Sequence, residues 1–236
     1  MRKIKKFKIP IYSYDILRKA KKRKIDLFAL GLSAQESAKE YIASIAAAIE
    51  PAVVFDFLGP EDPLAKGPGP LEGGALTLGV ITLGAAFADK LGGIKEPGLF
   101  RLAETAALVF GDTGLKVITE LIAQETGMEG FEPGGAEYLY ACPEPEAENR
   151  PAACPPPPNS PADPPPAESD QPAPVCTPGR RAGTNPGIIA SALARLQADK
   201  IGVRFENGAL SPKYSFLFAI PWLSRKKKKI SAAPRN

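Results

Sequence analysis

The chain contains no histidine. Without an imidazole, Ser-His-Asp and Cys-His nucleophile pairs cannot be assembled, and zinc loses its usual nitrogen ligand. Cysteine is scarce as well: there are 3 in 236 residues, and Cys142, Cys154 and Cys176 lie 12 and 22 positions apart. Those spacings match no zinc pattern, and an odd number of cysteines in a chain this long argues against a disulfide framework and for a reducing compartment. Long apolar runs are missing. The most apolar stretch, ALTLGVITLGAAFA at 75–88, falls short of the roughly 18 residues a membrane span needs and is broken by glycine, so it reads as core. The first residues, MRKIKKFKIPIYSYD, are basic but lead into no apolar stretch of about 7–15 residues and no small-residue cleavage site. A cytoplasmic protein is expected, not a transmembrane one. No Walker loop and no GxGxxG after a strand is present, which disfavours the familiar nucleotide enzymes.

Charge is plentiful but unevenly placed. Residues 1–24 hold 11 Lys and Arg against Asp15 alone, and residues 225–236 hold six more with no acid. Taking these from the totals of 30 bases and 26 acids leaves 13 bases and 25 acids over residues 25–224, a net charge of −12. The body is therefore acidic between basic ends. Such ends suit docking to an anionic surface and the steering of encounter. A nucleic-acid or membrane-surface binder would use them too, but the acidic body speaks against nucleic acid as the main partner.

Hydrophobic content of 44% supplies one sizeable core or two small ones. Alternation over KIPIY predicts a short strand at 8–12, followed by a helix over 14–24 with Ile16, Leu17 and Ala20 on one face. Ser33 with Glu36 has the capping-box spacing, and Ala38, Tyr41, Ile42, Ile45 and Ile49 continue one stripe as far as Pro51. AVVFDFL at 52–58 reads as a strand, residues 59–74 as an irregular loop, and GALTLGVITLG as one or two buried strands. Helices are predicted at 84–91 and at about 98–126. The second contains Gly111 and Gly114, each costing about 1 kcal/mol relative to alanine. Two explanations stay open: close approach of another backbone at Ala107, Gly111 and Gly114, or a break into two helices. GAEYLYA at 135–141 is a further strand candidate.

Residues 143–174 hold 13 of the 26 prolines and scarcely any aliphatic residue beyond alanine. A segment of that composition cannot offset its ordering entropy by burial, so an extended, polyproline-biased insertion is expected. Order is predicted to return with VCTPGRRAGTNPG at 175–187 and a helix opened by Pro186 and Gly187, with Ile188, Ile189, Ala192, Leu193 and Leu196 on one side. IGVRFENGAL then reads as a strand with a turn at Asn207–Gly208, and SFLFAIPW at 215–222 as an apolar final strand, the two pairing as a hairpin or lying apart in one sheet.

This order of parts resembles the activation domain of cobalamin (vitamin B12)-dependent methionine synthase. The likeness runs from IPIYSYDILRKA through AAIEPAVVFDF, VITLGAAFADKL and LFRLAETAALVFGDTGLKVITELI to TPGRRAGTNPGIIASALARLQADKIGVRF and ALSPKYSFLFAI. It covers nearly everything outside the proline-rich run and the basic ends. Val80-Ile81-Thr82-Leu83-Gly84 looks like the family's apolar strand ending in Thr-Leu-Gly, and Thr177-Pro178-Gly179 resembles its Ser/Ala-Pro-Gly. LSPKYSF at 210–216 is similar to its Leu-Pro-x-x-Ser-Val-Ser segment.

The resemblance implies an α/β (α+β) helmet-like single domain over 8–222, with a central twisted, mainly antiparallel sheet flanked by helices. A basic strand/helix segment at 1–24 leads into it, the 143–174 insertion interrupts it, and a basic tail at 225–236 follows. It further implies a bound S-adenosylmethionine, which in that family methylates an oxidised corrinoid once an electron is supplied. The chain is too short to hold the homocysteine, folate and corrinoid modules of a whole methionine synthase. A corrinoid-carrying methyltransferase, or methionine synthase modules acting in trans, and an electron donor are the expected partners, with cobalamin on the partner. The expected cofactor-binding residues are Thr177, Pro178, Gly179, Arg180 and Arg181; no catalytic residue and no metal site is expected. The chain departs from the family by carrying Val175 and Arg180 where the motif has Arg and Tyr, so Arg180 or Arg181 would have to take the cofactor's carboxylate by a bidentate pair. The alternative is an interaction protein that keeps the fold without the cofactor.

Overall fold

The computed structural model describes residues 1–65, 75–128, 130–141 and 186–224. Among them the fold is built on β3 (Leu76–Thr82), which is buried at all seven positions. A run such as LTLGVIT, apolar without alternation, is what a strand covered on both faces requires. One neighbour is β2 (Ala52–Leu58), in register from Ala52 opposite Thr82 to Leu58 opposite Leu76. The other is β8 (Ser215–Ser224), with Leu76 opposite Pro221 and Thr82 opposite Ser215. β1 (Arg2–Lys5) pairs with the outer side of β2. The free side of β8 carries both β4 (Phe131–Pro133) and β5 (Glu137–Tyr140). Every pairing is antiparallel, giving one six-stranded sheet of order β1-β2-β3-β8-β4 with β5 beside β8.

Two-residue periodicity sorts the side chains to two cores. Val53, Phe55, Ile81, Phe216, Phe218 and Ile220 face four helices: α1 (Ser13–Lys22), α2 (Gln35–Ala46), α3 (Ala85–Gly92) and α4 (Pro97–Met128). Val54, Leu76, Leu78, Val80, Leu217 and Ala219 face the opposite way. They meet α5 (Pro186–Leu196), a 3-10 helix at Ala198–Ile201 and a hairpin of β6 (Arg204–Glu206) and β7 (Ala209–Ser211). The architecture is α+β in three layers. Phe55, Phe87, Phe110, Phe216 and Phe218 are all fully buried, and each contributes about 1.5–3 kcal/mol by leaving water. Buried polar atoms inside the sheet are matched: Ser215 Oγ donates to Thr82 Oγ1 at 2.9 Å, which also accepts from the Gly84 amide at 3.1 Å, as buried groups must be to avoid a desolvation cost.

Several sequence expectations need correction. KIPIY is not a strand; the strand is RKIK at 2–5, and it ends where Lys6 turns to φ +56°. Pro10 has no amide to give a ladder, yet Ile9 still enters the core at 8% exposure. The Ser33–Glu36 capping box does not form, because α2 starts at Gln35 after Ala34 with no side-chain cap. Instead Ser37 Oγ donates to the Ala34 carbonyl at 2.8 Å. That helix stops at Ala46, short of Pro51. Glycines 111 and 114 do not break α4, which is continuous. What approaches them is side chain rather than backbone: a Cβ on Gly111 would lie 2.6 Å from the Phe216 ring, and one on Gly114 2.9 Å from Ile81 Cδ1 and 3.2 Å from Ile9 Cδ1. IGVRFENGAL folds on itself as the β6–β7 hairpin, with Asn207 at φ +52° and Gly208 at φ +79°, the pair of positive φ values a two-residue type I′ turn needs. It pairs with neither edge of β8.

Candidate functional site

Thr177, Pro178, Gly179, Arg180 and Arg181 lie outside the described residues, as do the three cysteines, the 143–174 run and the 225–236 tail. What is described is the frame on either side of them. β5 ends at Tyr140 on the sheet edge, and α5 begins at Pro186 on the face away from the four helices. Ile189, Ala192 and Leu196 are buried against that face and fix the start of α5.

Within the described residues, ionisable groups converge where α1 crosses α4. The basic stripe of α1 arises from its own periodicity: Ile16 and Ala20 turn into the core, which leaves Arg18, Lys19 and Lys22 towards solvent. Arg23 Nη1 donates to Thr105 Oγ1 at 3.0 Å and ties the end of α1 to α4. One turn further along, Lys19 Nζ meets Asp112 Oδ2 at 3.4 Å. Asp112 also accepts from Tyr138 Oη of β5, at 2.9 Å. Three elements distant in sequence therefore meet at one carboxylate.

Two cavities flank it. The larger, about 510 Å³, is lined by Leu115, Lys116, Glu120, Ala136 and Tyr138 beside Asp112. The smaller, about 310 Å³, lies between the helices and is lined by Asp15, Arg18, Lys19, Lys22 and Thr113 together with Asp112 and Lys116. Burial raises the pKa of Tyr138, and the Asp112 charge and its hydrogen bond raise it further. At neutral pH that phenol is a fixed proton donor to Asp112, not a base. Tyr41, which donates to the Leu99 carbonyl at 3.2 Å, is raised by burial and then by Glu96.

The sequence pointed to a basic 1–24 segment but not to Asp112 or Tyr138, since no local spacing joins positions 19, 112 and 138. Among the described residues no group of three or more His, Cys, Asp or Glu side chains is arranged to hold a metal ion. No described helix is long and apolar enough to cross a membrane. No protein-family model matches the chain, and no curated protein matches it.

Proposed function

We propose that the protein is an S-adenosylmethionine-binding accessory protein that acts in the cytoplasm and supports reductive methylation of a corrinoid carried by a partner methyltransferase. The observation that supports this most is the step from β3 into α3. Val80-Ile81-Thr82-Leu83-Gly84, which with Thr177-Pro178-Gly179 is the most telling part of the resemblance, forms the end of the buried central strand and the turn that follows. Gly84 takes φ +97°, and a Cβ there would meet the Glu50 carbonyl oxygen at 3.0 Å, so glycine is needed for both conformation and space. The antiparallel sheet with helices on its faces also agrees with the architecture the resemblance implies.

In this reading Thr177-Pro178-Gly179 brings backbone amides close to the ligand, and Arg180 or Arg181 pairs with its carboxylate. S-adenosylmethionine supplies the methyl group, a separate donor supplies the electron, and the cobalamin resides on the partner. Basic segments at 1–24 and 225–236 steer the encounter with it. Titration calorimetry with S-adenosylmethionine, using S-adenosylhomocysteine and adenosine for comparison, tests the first step. A dissociation constant below about 1 mM, which is roughly 4 kcal/mol of binding, is expected, with at least tenfold weakening in Arg180→Ala or Arg181→Ala. No heat and no change in melting temperature would move the reading to an interaction protein that keeps the fold alone.

A further inference from the structure

We infer that the cleft between α1 and α4 is a binding site for a phosphate monoester whose body is uncharged and partly apolar. This is separate from the S-adenosylmethionine reading and stands or falls without it. The first support is an excess of cations. Arg18, Lys19, Lys22 and Lys116 line the smaller cavity against only Asp15 and Asp112. Both carboxylates are already engaged, Asp15 with Arg18 at 3.3 Å and Asp112 with Lys19 and Tyr138. Lys22 and Lys116 have no ion-pair partner among the described residues. Arg18 and Lys22 are one helical turn apart, a spacing at which like charges repel, and Lys116 faces them from the other helix. An anion placed between them relieves that repulsion.

The second support is the proton inventory of the walls. Tyr138 gives its hydroxyl proton to Asp112, Thr113 gives its own to the Val109 carbonyl at 2.8 Å, and Thr119 to the Leu115 carbonyl at 2.8 Å. Among the side-chain donors of these walls, what remains to offer a ligand is ammonium and guanidinium N–H, which favours an acceptor-rich anion over a neutral polyol. Phosphate, with several acceptor oxygens, takes up such donors best.

The third is shape. The larger cavity shares Asp112 and Lys116 with the smaller one and brings Leu115, Ala136 and Tyr138 to its wall. Both volumes fall in the range of small-molecule sites. A phosphate held by Arg18, Lys22 and Lys116 can thus extend its organic part over Leu115 and the Tyr138 ring, with Glu120 at the rim to accept from a hydroxyl.

Phenyl phosphate is the probe, with inorganic phosphate and phenol as its two halves, titrated into the full chain at low salt. Amide chemical shifts and calorimetry are the readouts. Phenyl phosphate should bind below about 1 mM and at least fivefold more tightly than either half, with shifts confined to α1, α4 and β5. Lys22→Ala and Lys116→Ala should each weaken it several-fold, and both together at least tenfold, while Lys226–Lys229 all changed to Gln leaves it unaltered. Both cavity variants alter exposed side chains, so folding is preserved, and unchanged amide shifts elsewhere verify that. Absence of saturable binding, affinity that follows the tail lysines, or equal affinity for inorganic phosphate overturns the proposal.

Discussion

Alanine at Gly111 pits two effects against each other in one residue. In the interior of a helix, Gly→Ala favours folding by about 1 kcal/mol. In α4, however, the added Cβ would stand 2.6 Å from both Cε2 and Cζ of Phe216 and 3.3 Å from its Cδ2. That ring is 2% exposed and is backed by Tyr138, with centroids 5.7 Å apart. Its strand is bonded to β3 on one side and β5 on the other, so the backbone cannot retreat. Overpacking of a close-packed interior costs about 1–3 kcal/mol. The net expectation is destabilisation of about 1 kcal/mol, or a melting temperature lower by about 2–4 °C in a chain of this size. Urea unfolding followed by the fluorescence of Trp222 measures it, with an unchanged slope as evidence that only stability moved. Gly92→Ala is the companion variant, because nothing lies within 4 Å of a Cβ there, and it should not lower stability. Phe216→Leu should remove most of the Gly111→Ala penalty when the two are combined, a coupling of about 1 kcal/mol. If Gly111→Ala instead raises stability as an open helix site would, the packing argument is wrong.

Tyr138→Phe removes the hydroxyl that binds Asp112 and should cost about 0.5–1.5 kcal/mol at pH 7, measured by the same urea assay. The folded pKa of Tyr138 is raised above the ordinary value of 10.0, so its contribution is full below about pH 10 and is lost as pH climbs above that. Tyr138→Phe should accordingly flatten the alkaline fall in stability, and an unchanged alkaline limb would refute the assignment. Asp56, 14% exposed, pairs with Arg195 at 3.4 Å and with the Met1 amine at 2.5 Å. Asp56→Ala should cost about 1 kcal/mol at low salt, and the difference from wild type should shrink in 0.5 M NaCl by thermal melting; a salt-independent difference would point to packing instead.

Elements whose residues are selected by burial were readable in the sequence. β2 and β3 stand out because both faces of the sheet are covered, which leaves only Asp56, Thr77 and Thr82 as polar positions in AVVFDFL and LTLGVIT. The α5 stripe is equally plain, with Ile189, Ala192, Leu193 and Leu196 all buried. β1 was displaced in the reading because it lies at the sheet edge, where RKIK is mostly exposed and lysines serve to block further pairing. The capping box misled because Ser33 and Glu36 have the spacing without the helix start. Gly111 was flagged as costly, but that Phe216 repays the cost depends on a strand about a hundred residues later. The Lys19–Asp112–Tyr138 junction shares that origin: it is made by two helices and an edge strand, and only the tertiary fold places them side by side. Residues 177–181, on which the cofactor expectation rests, lie outside the described residues.

The position of β8 has a consequence for a chain made from its N-terminus. It is the last described strand, yet it sits inside the sheet between β3 and the β4/β5 edge. Its bonds to β3 close a loop of about 139 residues, from Leu76–Thr82 to Ser215–Pro221. A nascent chain that stops anywhere before residue 215 has β3 with one open edge, β5 with no partner strand, and Gly111 facing a gap that Phe216 has yet to fill. Such a loop raises contact order and slows productive collapse, and the bare apolar edge of β3 is a site for wrong pairing while it waits. Truncations that take β8 leave neither of the two cores closed.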